Sequence, residues 1–534
     1  MKQVFFFGYY GFQNTGDDAV LYSLLSDLTR GPESYRILVA SENIEQTEKL
    51  YSRFSVEAIP WDNYVLVNLA IKQSDLLVIG GGGLYNCFLD YRGELFLRGG
   101  HREFGVVTFG LPYLAELWNT PCMVCGVGAS EIRSNVAKEH IGSSLNKLAA
   151  ITVRDRASQR LLAALPNGRG VHIEVGADPV FRLFVHSEEY SFNEKEKPLT
   201  DEINRLKKPI LGVSLRNWSF SGDRDNLINS VAYAINSFSE RTGGSVVFMP
   251  FDNGGTLESL SEDEVIFDDV IKNLDSKIEI LKISEYLSPM VALRLVKECD
   301  YMICMRFHAV VMALSCGIPC VALAYDRKVR SAMELFNMEF ACIDIEAVTH
   351  EAIDQRLVGI EGEKVKLKDI YEKRAKECSK SANVHAERIK QLLNNLLSAK
   401  KQVDPIYTML RAQFSESLIC QWVEEYENAF NAGDYITALS YLNVNPKEEV
   451  KYTYQKAFCL HQVRNHIDAI KNYNEALKNG FEPFWVYYNR GQCYKDMGNV
   501  ISAKKDLSKA FDLDQTGEHK ESISDILKNL ESQL

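Results

Sequence analysis

The sequence predicts an α/β protein of two Rossmann-like domains followed by an all-α repeat domain. Three observations carry this. Short β-branched and aromatic runs alternate with amphipathic stretches over the first 185 or so residues. The alternation restarts after a polar stretch at 186–209, and from about residue 404 the pattern is helical with an internal period. Strands alternating with helices imply parallel sheets covered on both faces, with ligands at the carboxyl ends of the strands.

In order, residues 4–7 read as a strand, 19–28 as a helix, and 36–40, 76–79, 123–127, 151–154 and 172–175 as further strands of an N-terminal domain over 1–190. The charged stretch 186–209 reads as a linker. In the second domain, 205–345, residues 210–215 and 246–250 read as strands, and 227–238 and 290–299 as helices. The strand 301–305, a helix over 307–315 and the strand 319–324 complete a strand–helix–strand unit. A helical connector spans 346–402. Between 361 and 401, eleven Lys or Arg stand against six Asp or Glu, with Ile389, Leu392, Leu393, Leu396 and Leu397 at helical spacing. That pattern reads as a helix packed by its apolar stripe, with a basic face that could also meet anionic lipid head groups.

Residues 404–534 carry the period. Gly433, Arg464 and Gly498 hold equivalent turn positions, and Ala438, Ala469 and Ala503 each follow by five residues, so the spacings are 31 and 34. This tail resembles tetratricopeptide repeats, whose period is about 34 residues. It is expected to pack against the stripe near Leu392 and to offer a surface for a protein partner.

Composition bounds the function. With 534 residues, 46% hydrophobic and 25% charged, the chain matches ordinary globular protein, which excludes wholesale disorder, collagen and a coiled-coil rod. A formal charge of -12 argues against a dedicated nucleic-acid binder. Cys122 and Cys125 form a CxxC inside an apolar run with no second CxxC at zinc-site distance, so buried thiols and a reducing compartment are expected. The N-terminal apolar run is too short for a signal sequence, and no stretch approaches the roughly 20 apolar residues that span a bilayer. The expected location is cytoplasmic, with peripheral contact at the inner face of the membrane open to it.

Chemistry concentrates at predicted strand ends. The loop 8–18 is glycine-rich and leads into a helix, but it lacks the G-x-G-x-x-G spacing and carries Asp17 and Asp18 at the helix start. Two carboxylates there would repel phosphate and suit hydroxyl binding, unless one serves only as the N-cap. Tyr10 and Asn14 belong to this loop, and Gly81 and Gly82 to a second one after the strand at 76–79. These four are candidates for contacting an acceptor. Cations cluster at the other strand ends: Arg154 in the first half, Arg216, Arg306 and Lys328 in the second, with His308 beside Arg306. Arg grips carboxylate or phosphate bidentately, and Lys supplies a point charge.

The segments 10–19, 80–83, 153–158 and 176–179, Arg306-Phe307-His308, Gly317-Ile318-Pro319 and Tyr325-Asp326-Arg327-Lys328 together resemble the polysaccharide pyruvyltransferase family. The resemblance covers roughly residues 1–345. It implies a GT-B-like pair of domains and transfer of a pyruvyl group from phosphoenolpyruvate to a sugar, forming a ketal and releasing phosphate. The family's basic residues carry over onto Arg154, Arg216, Arg306, His308 and Lys328. Under this reading His308 is the acid, and Asp17 or Asp18 orients or deprotonates the sugar hydroxyl. The acceptor is nucleotide-, lipid- or polymer-linked. Phosphoenolpyruvate is a co-substrate, so no resident cofactor and no metal are required. Two alternatives stay open, a nucleotide-sugar glycosyltransferase and a noncatalytic scaffold that uses the repeats.

Overall fold

Val4, Phe5, Phe6 and Phe7 are β-formers suited to a strand buried on both faces. In the computed structural model they lie fully buried in β1 (Lys2–Phe7). The structure describes residues 1–87, 104–168, 170–187, 190, 197–217, 224–254, 262–395, 426–443 and 449–531, in two units, Met1–Val403 and Asp404–Leu534.

In the first unit β1 is followed by β2 (Tyr35–Ser41), β3 (Val56–Pro60), β4 (Leu76–Gly80), β5 (Tyr85–Cys87), β6 (Cys122–Val127), β7 (Ala129–Ile132), β8 (Ala150–Val153) and β9 (Glu174–Val175). Seven of these form a parallel sheet in the order β3-β2-β1-β4-β6-β8-β9, while β5 and β7 pair separately. The second sheet holds β10 (Ile210–Ser214), β11 (Ser245–Phe248), β12 (Ile280–Lys282), β13 (Tyr301–Cys304), β14 (Cys320–Ala324) and β15 (Cys342–Asp344). Its order is β12-β11-β10-β13-β14-β15, also parallel throughout.

Each sheet therefore winds outward from its first strand, then reverses. The loops leaving the two central strands at that switch point diverge and open a crevice at their carboxyl ends. The halves meet there, backbone to backbone. Thr15 donates its N–H to the Phe251 carbonyl at 3.0 Å, and Asn253 donates to the Gln13 carbonyl at 3.0 Å. This is the expected GT-B-like pair of Rossmann-like halves.

One expectation needs correcting. The linker begins later than residue 186, because His186 is buried with Nε2 2.9 Å from Asp27 Oδ1, and Lys197–Ile203 is helical. The helix that carries the apolar stripe packs on the α/β body. Helix Val384–Asn395 buries Ile389 and Leu393 completely in that core, and His385 Nδ1 lies 2.8 Å from Thr152 Oγ1 of β8. Leu396 and Leu397 lie outside the described residues.

Cys122 and Cys125 are free, buried thiols in β6; burial pushes Cys125 up to about 12 and Cys122 higher still. Among the described residues no helix is long and apolar enough to cross a membrane.

The second unit is helical: Tyr435–Asn443, Val450–Gln462, His466–Lys478, Pro483–Asp496, Val500–Leu513 and Lys520–Glu531, each packed on the next. Gly433, Arg464 and Gly498 do occupy equivalent turns, with φ of +75°, +63° and +73°. The residue after each, Asp434, Asn465 and Asn499, caps the following helix with its side chain. Ala438, Ala469 and Ala503 are fully buried between helices.

Candidate active site

The crevice between the halves contains a cavity of about 370 Å³. Residues from both halves line it: Asn14, Asp17 and Arg154 from the first, and Arg216, Asp252, Arg306, His308, Tyr325 and Lys328 from the second. Every one of them follows a strand end or starts a helix, where the topology aims loops at the crevice.

Helix Thr15–Leu28 begins beside the cavity. Its N-cap is Asn14, whose Oδ1 accepts from the N–H groups of Gly16 and Asp17 at 3.1 Å. Capping therefore falls to neither aspartate. Asp17 lies against Gly82, where a Cβ would stand only 1.7 Å from Oδ1, so this close approach demands glycine. Burial and then the neighbouring Asp18 raise the Asp17 carboxyl to about 7, against the pull of Arg154 and Lys328. Asp18 is placed differently. It accepts hydrogen bonds from Tyr51 at 3.0 Å and Tyr286 at 2.6 Å and does not line the cavity. Burial still raises it to about 6, tempered by those two tyrosines. Because Tyr286 comes from the second half, Asp18 serves as a pin between the halves.

His308 stands in the first turn of helix Phe307–Cys316. Its ring lies against the backbone of Gly16, where a Cβ would meet Nδ1 at 1.8 Å. Nε2 is buried, has no hydrogen-bond partner, and is 3.7 Å from Asp178 Oδ2. Burial lowers the imidazole pKa, and Arg154 and Lys328 add to that against the opposing Asp178.

The cations differ in how far they are already engaged. Arg154 donates from Nη1 to Asp178 Oδ2 at 3.1 Å, and its guanidinium lies 4.2 Å from the centre of the Phe307 ring. Burial would push Asp178 up, but His308 and Arg154 outweigh it and hold the carboxyl at about 2. Arg306 is the most committed. Nε donates to Asp263 Oδ1 at 2.9 Å, and Nη1 lies 3.1 Å from Asp252 Oδ2. Asp263 is fully buried, and that burial raises it to about 6 despite Arg306.

Arg216 and Lys328 flank Tyr325, at 5.5 and 5.3 Å from its ring centre. Burial would push the Tyr325 phenol up, yet Lys328, Arg306 and Arg216 together bring it below its ordinary value. The helix carrying Lys328 is capped by Asp326, which accepts from the Lys328 N–H at 2.9 Å.

The structure thus gathers Asn14, Asp17, Arg154, Arg216, Arg306, His308 and Lys328 around one space. Tyr10, Gly81 and Gly82 do not line it. Tyr10 is fully buried and donates its hydroxyl to the Gly80 carbonyl, supporting the glycine loop from behind. Sequence reasoning assigned no role to Asp178, Asp252, Asp263 or Tyr325. Asp178 and Tyr325 sat inside quoted motifs, and Asp252 follows a predicted strand end, so three of the four had a signal.

Chemically, the lining offers positive charge for a small polyanion together with a carboxyl raised to about 7 and a buried imidazole. That is the equipment for positioning an anion and moving protons around it.

Among solved structures, the UDP-GlcNAc 2-epimerase from Neisseria meningitidis, bound to UDP-GlcNAc, is similar with a TM-score of 0.49 at 13% identity, over 74% of this chain and 100% of that one. A glycosyltransferase from Rickettsia africae gives 0.48 at 12%, over 74% and 99%. The UDP-GlcNAc 2-epimerase from Methanocaldococcus jannaschii gives 0.46 at 12%, over 74% and 99%. No curated protein matches the sequence. The family model for polysaccharide pyruvyl transferase matches residues 14–327, more than half of the chain, and takes in every cavity-lining residue except Tyr9 and Lys328. The chain belongs to the polysaccharide pyruvyl transferase family.

Proposed function

We propose that the chain transfers the pyruvyl group of phosphoenolpyruvate to two hydroxyls of one sugar, releasing phosphate. The observation that carries this reading is the convergence of Arg154, Arg216, Arg306 and Lys328 on a cavity that also holds Asp17 and His308. Phosphoenolpyruvate carries a carboxylate and a phosphate on adjacent atoms, and a cluster of cations in a low-dielectric crevice positions both. Arg306 is tied to two aspartates, so Lys328 is assigned a large share of the new contacts to the donor.

His308 delivers a proton to the methylene carbon of the donor. Burial lowers the imidazole pKa, and the arriving polyanion beside Nε2 favours its protonation. Protonation leaves the carboxyl-bearing carbon electrophilic. Asp17, with a pKa of about 7, takes the proton from the attacking sugar hydroxyl. The carbon–oxygen bond to phosphate then breaks, the second hydroxyl closes the ketal, and its proton leaves with the phosphate. The methylene has become a methyl, so atoms and charge balance without a resident cofactor.

The tail supplies a protein-docking surface of the tetratricopeptide kind in this reading, and the enzyme works in the cytoplasm, where phosphoenolpyruvate is made. Calorimetry tests the donor site. Lys328→Met should weaken phosphoenolpyruvate binding by about tenfold or more, the loss of one charge-assisted contact. Unchanged affinity in a folded variant would remove Lys328 from the donor site.

A further inference from the structure

We propose that His461, His466 and Cys493 hold a zinc-class divalent cation that ties two successive helical repeats together. His461 lies in the last turn of helix Val450–Gln462, His466 opens the next helix, and Cys493 comes from helix Pro483–Asp496 of the following repeat. Their ligand atoms all lie within 4.8 Å of one another, with His461 and Cys493 buried and His466 half-buried. Two imidazole nitrogens and a thiolate form a borderline-soft donor set that suits zinc.

The second observation is an orphaned atom. His461 Nε2 faces Asp496 Oδ2 at 3.0 Å, which fixes the proton on that nitrogen and leaves a lone pair on Nδ1. Nδ1 is buried without any hydrogen-bond partner. A carboxylate on the far nitrogen of a histidine is the arrangement that orients a metal-binding imidazole and raises its basicity. Asp496 is three residues beyond Cys493 on the same helix, so one segment supplies both a ligand and the group that aims another.

A simple hydrogen-bonded cluster explains less. Cys493 Sγ is 3.5 Å from His466 Nδ1 and 3.6 Å from the His466 carbonyl, which satisfies the thiol but leaves His461 Nδ1 stranded. A tetrahedral zinc with bonds of about 2.0–2.3 Å needs ligand separations of roughly 3.5 Å. The cluster must therefore contract by at most about 1.3 Å, and the Cys493–His466 pair, at 3.5 Å, already has that separation. On binding, Cys493 gives up its thiol proton to solvent and becomes the thiolate ligand. The fourth position is left to water. The consequence is structural: a short repeat array has little core, and a metal bridging adjacent repeats stabilises it.

The test uses the reduced, metal-free full-length chain titrated with Co(II), then Zn(II). Expected is one Co(II) per chain, bound on the order of a micromolar or tighter, with tetrahedral absorption and a thiolate-to-cobalt charge-transfer band that Zn(II) abolishes. Cys493→Ser should remove that band, and His466→Gln, at a half-buried position that spares the fold, should weaken binding about 100-fold or more. Asp496→Asn should weaken it by about 10- to 100-fold. Absence of stoichiometric binding would overturn the proposal. So would a thiolate band and affinity unchanged in both Cys493→Ser and His466→Gln, because the metal would then sit on other cysteines.

Discussion

Replacing Gly16 by alanine separates backbone preference from active-site geometry. Gly16 lies in the first turn of helix Thr15–Leu28, and its φ is not positive, so alanine fits the backbone. By helix propensity alone the change should stabilise the protein by about 0.5–1 kcal/mol. The added Cβ, however, would stand 1.8 Å from His308 Nδ1, where ordinary contact begins at 3.4 Å. The difference, 3.4 minus 1.8, means the ring must retreat by about 1.6 Å. A misplacement of about 1 Å in a positioned catalytic group costs on the order of 100-fold in rate. The account therefore predicts a folded Gly16→Ala protein with kcat reduced about 100-fold, and donor affinity changed far less. Circular dichroism, thermal melting and steady-state phosphate release measure the three quantities. A kcat within threefold of the parent in a folded variant would refute the placement of His308 at the reacting carbon.

Arg306→Met should destabilise the fold by about 3–5 kcal/mol in urea unfolding, because it strands Asp263 in the core; adding Asp263→Asn should recover part of that loss. The Asp17 carboxyl is raised from 3.8 to about 7, so between those values the folded chain keeps a proton the unfolded chain has released. Its contribution to stability thus falls as pH rises through that window, and Asp17→Asn should be more stable than the parent at pH 8 but not at pH 3. Turnover should rise with pH through about 7 and lose that limb, with a 10²- to 10⁴-fold drop, in Asp17→Asn. Arg464, at φ +63°, holds a left-handed turn that glycine fills in two equivalent places, so Arg464→Gly should raise the stability of the repeats by about 0.5–1 kcal/mol.

How much of this was legible in the sequence follows from burial. Central strands such as β1, β4, β6, β10 and β13 are covered on both faces, and they read as continuous apolar runs. The strands that reading missed, β3, β12 and β15, stand at sheet edges, while β5 and β7 form a small separate pair. These three are short or interrupted, as with Pro60 in β3, and leave no such run. The same logic holds at the site. Arg306 and His308 announce themselves by charge at a strand end, whereas Asp263 reaches Arg306 across 43 residues of chain, through a pairing set only by the tertiary fold. Gly16 and Gly82 were visible as loop glycines; that they make room for His308 and Asp17 was not.

The central claim is tested most directly by incubating the protein with phosphoenolpyruvate and a panel of free and carrier-linked sugars, following phosphate release together with the mass of the acceptor. The account predicts equimolar phosphate and an acceptor enlarged by one pyruvyl ketal, both lost in His308→Gln. A panel in which phosphoenolpyruvate is untouched while a nucleotide sugar is consumed would contradict it.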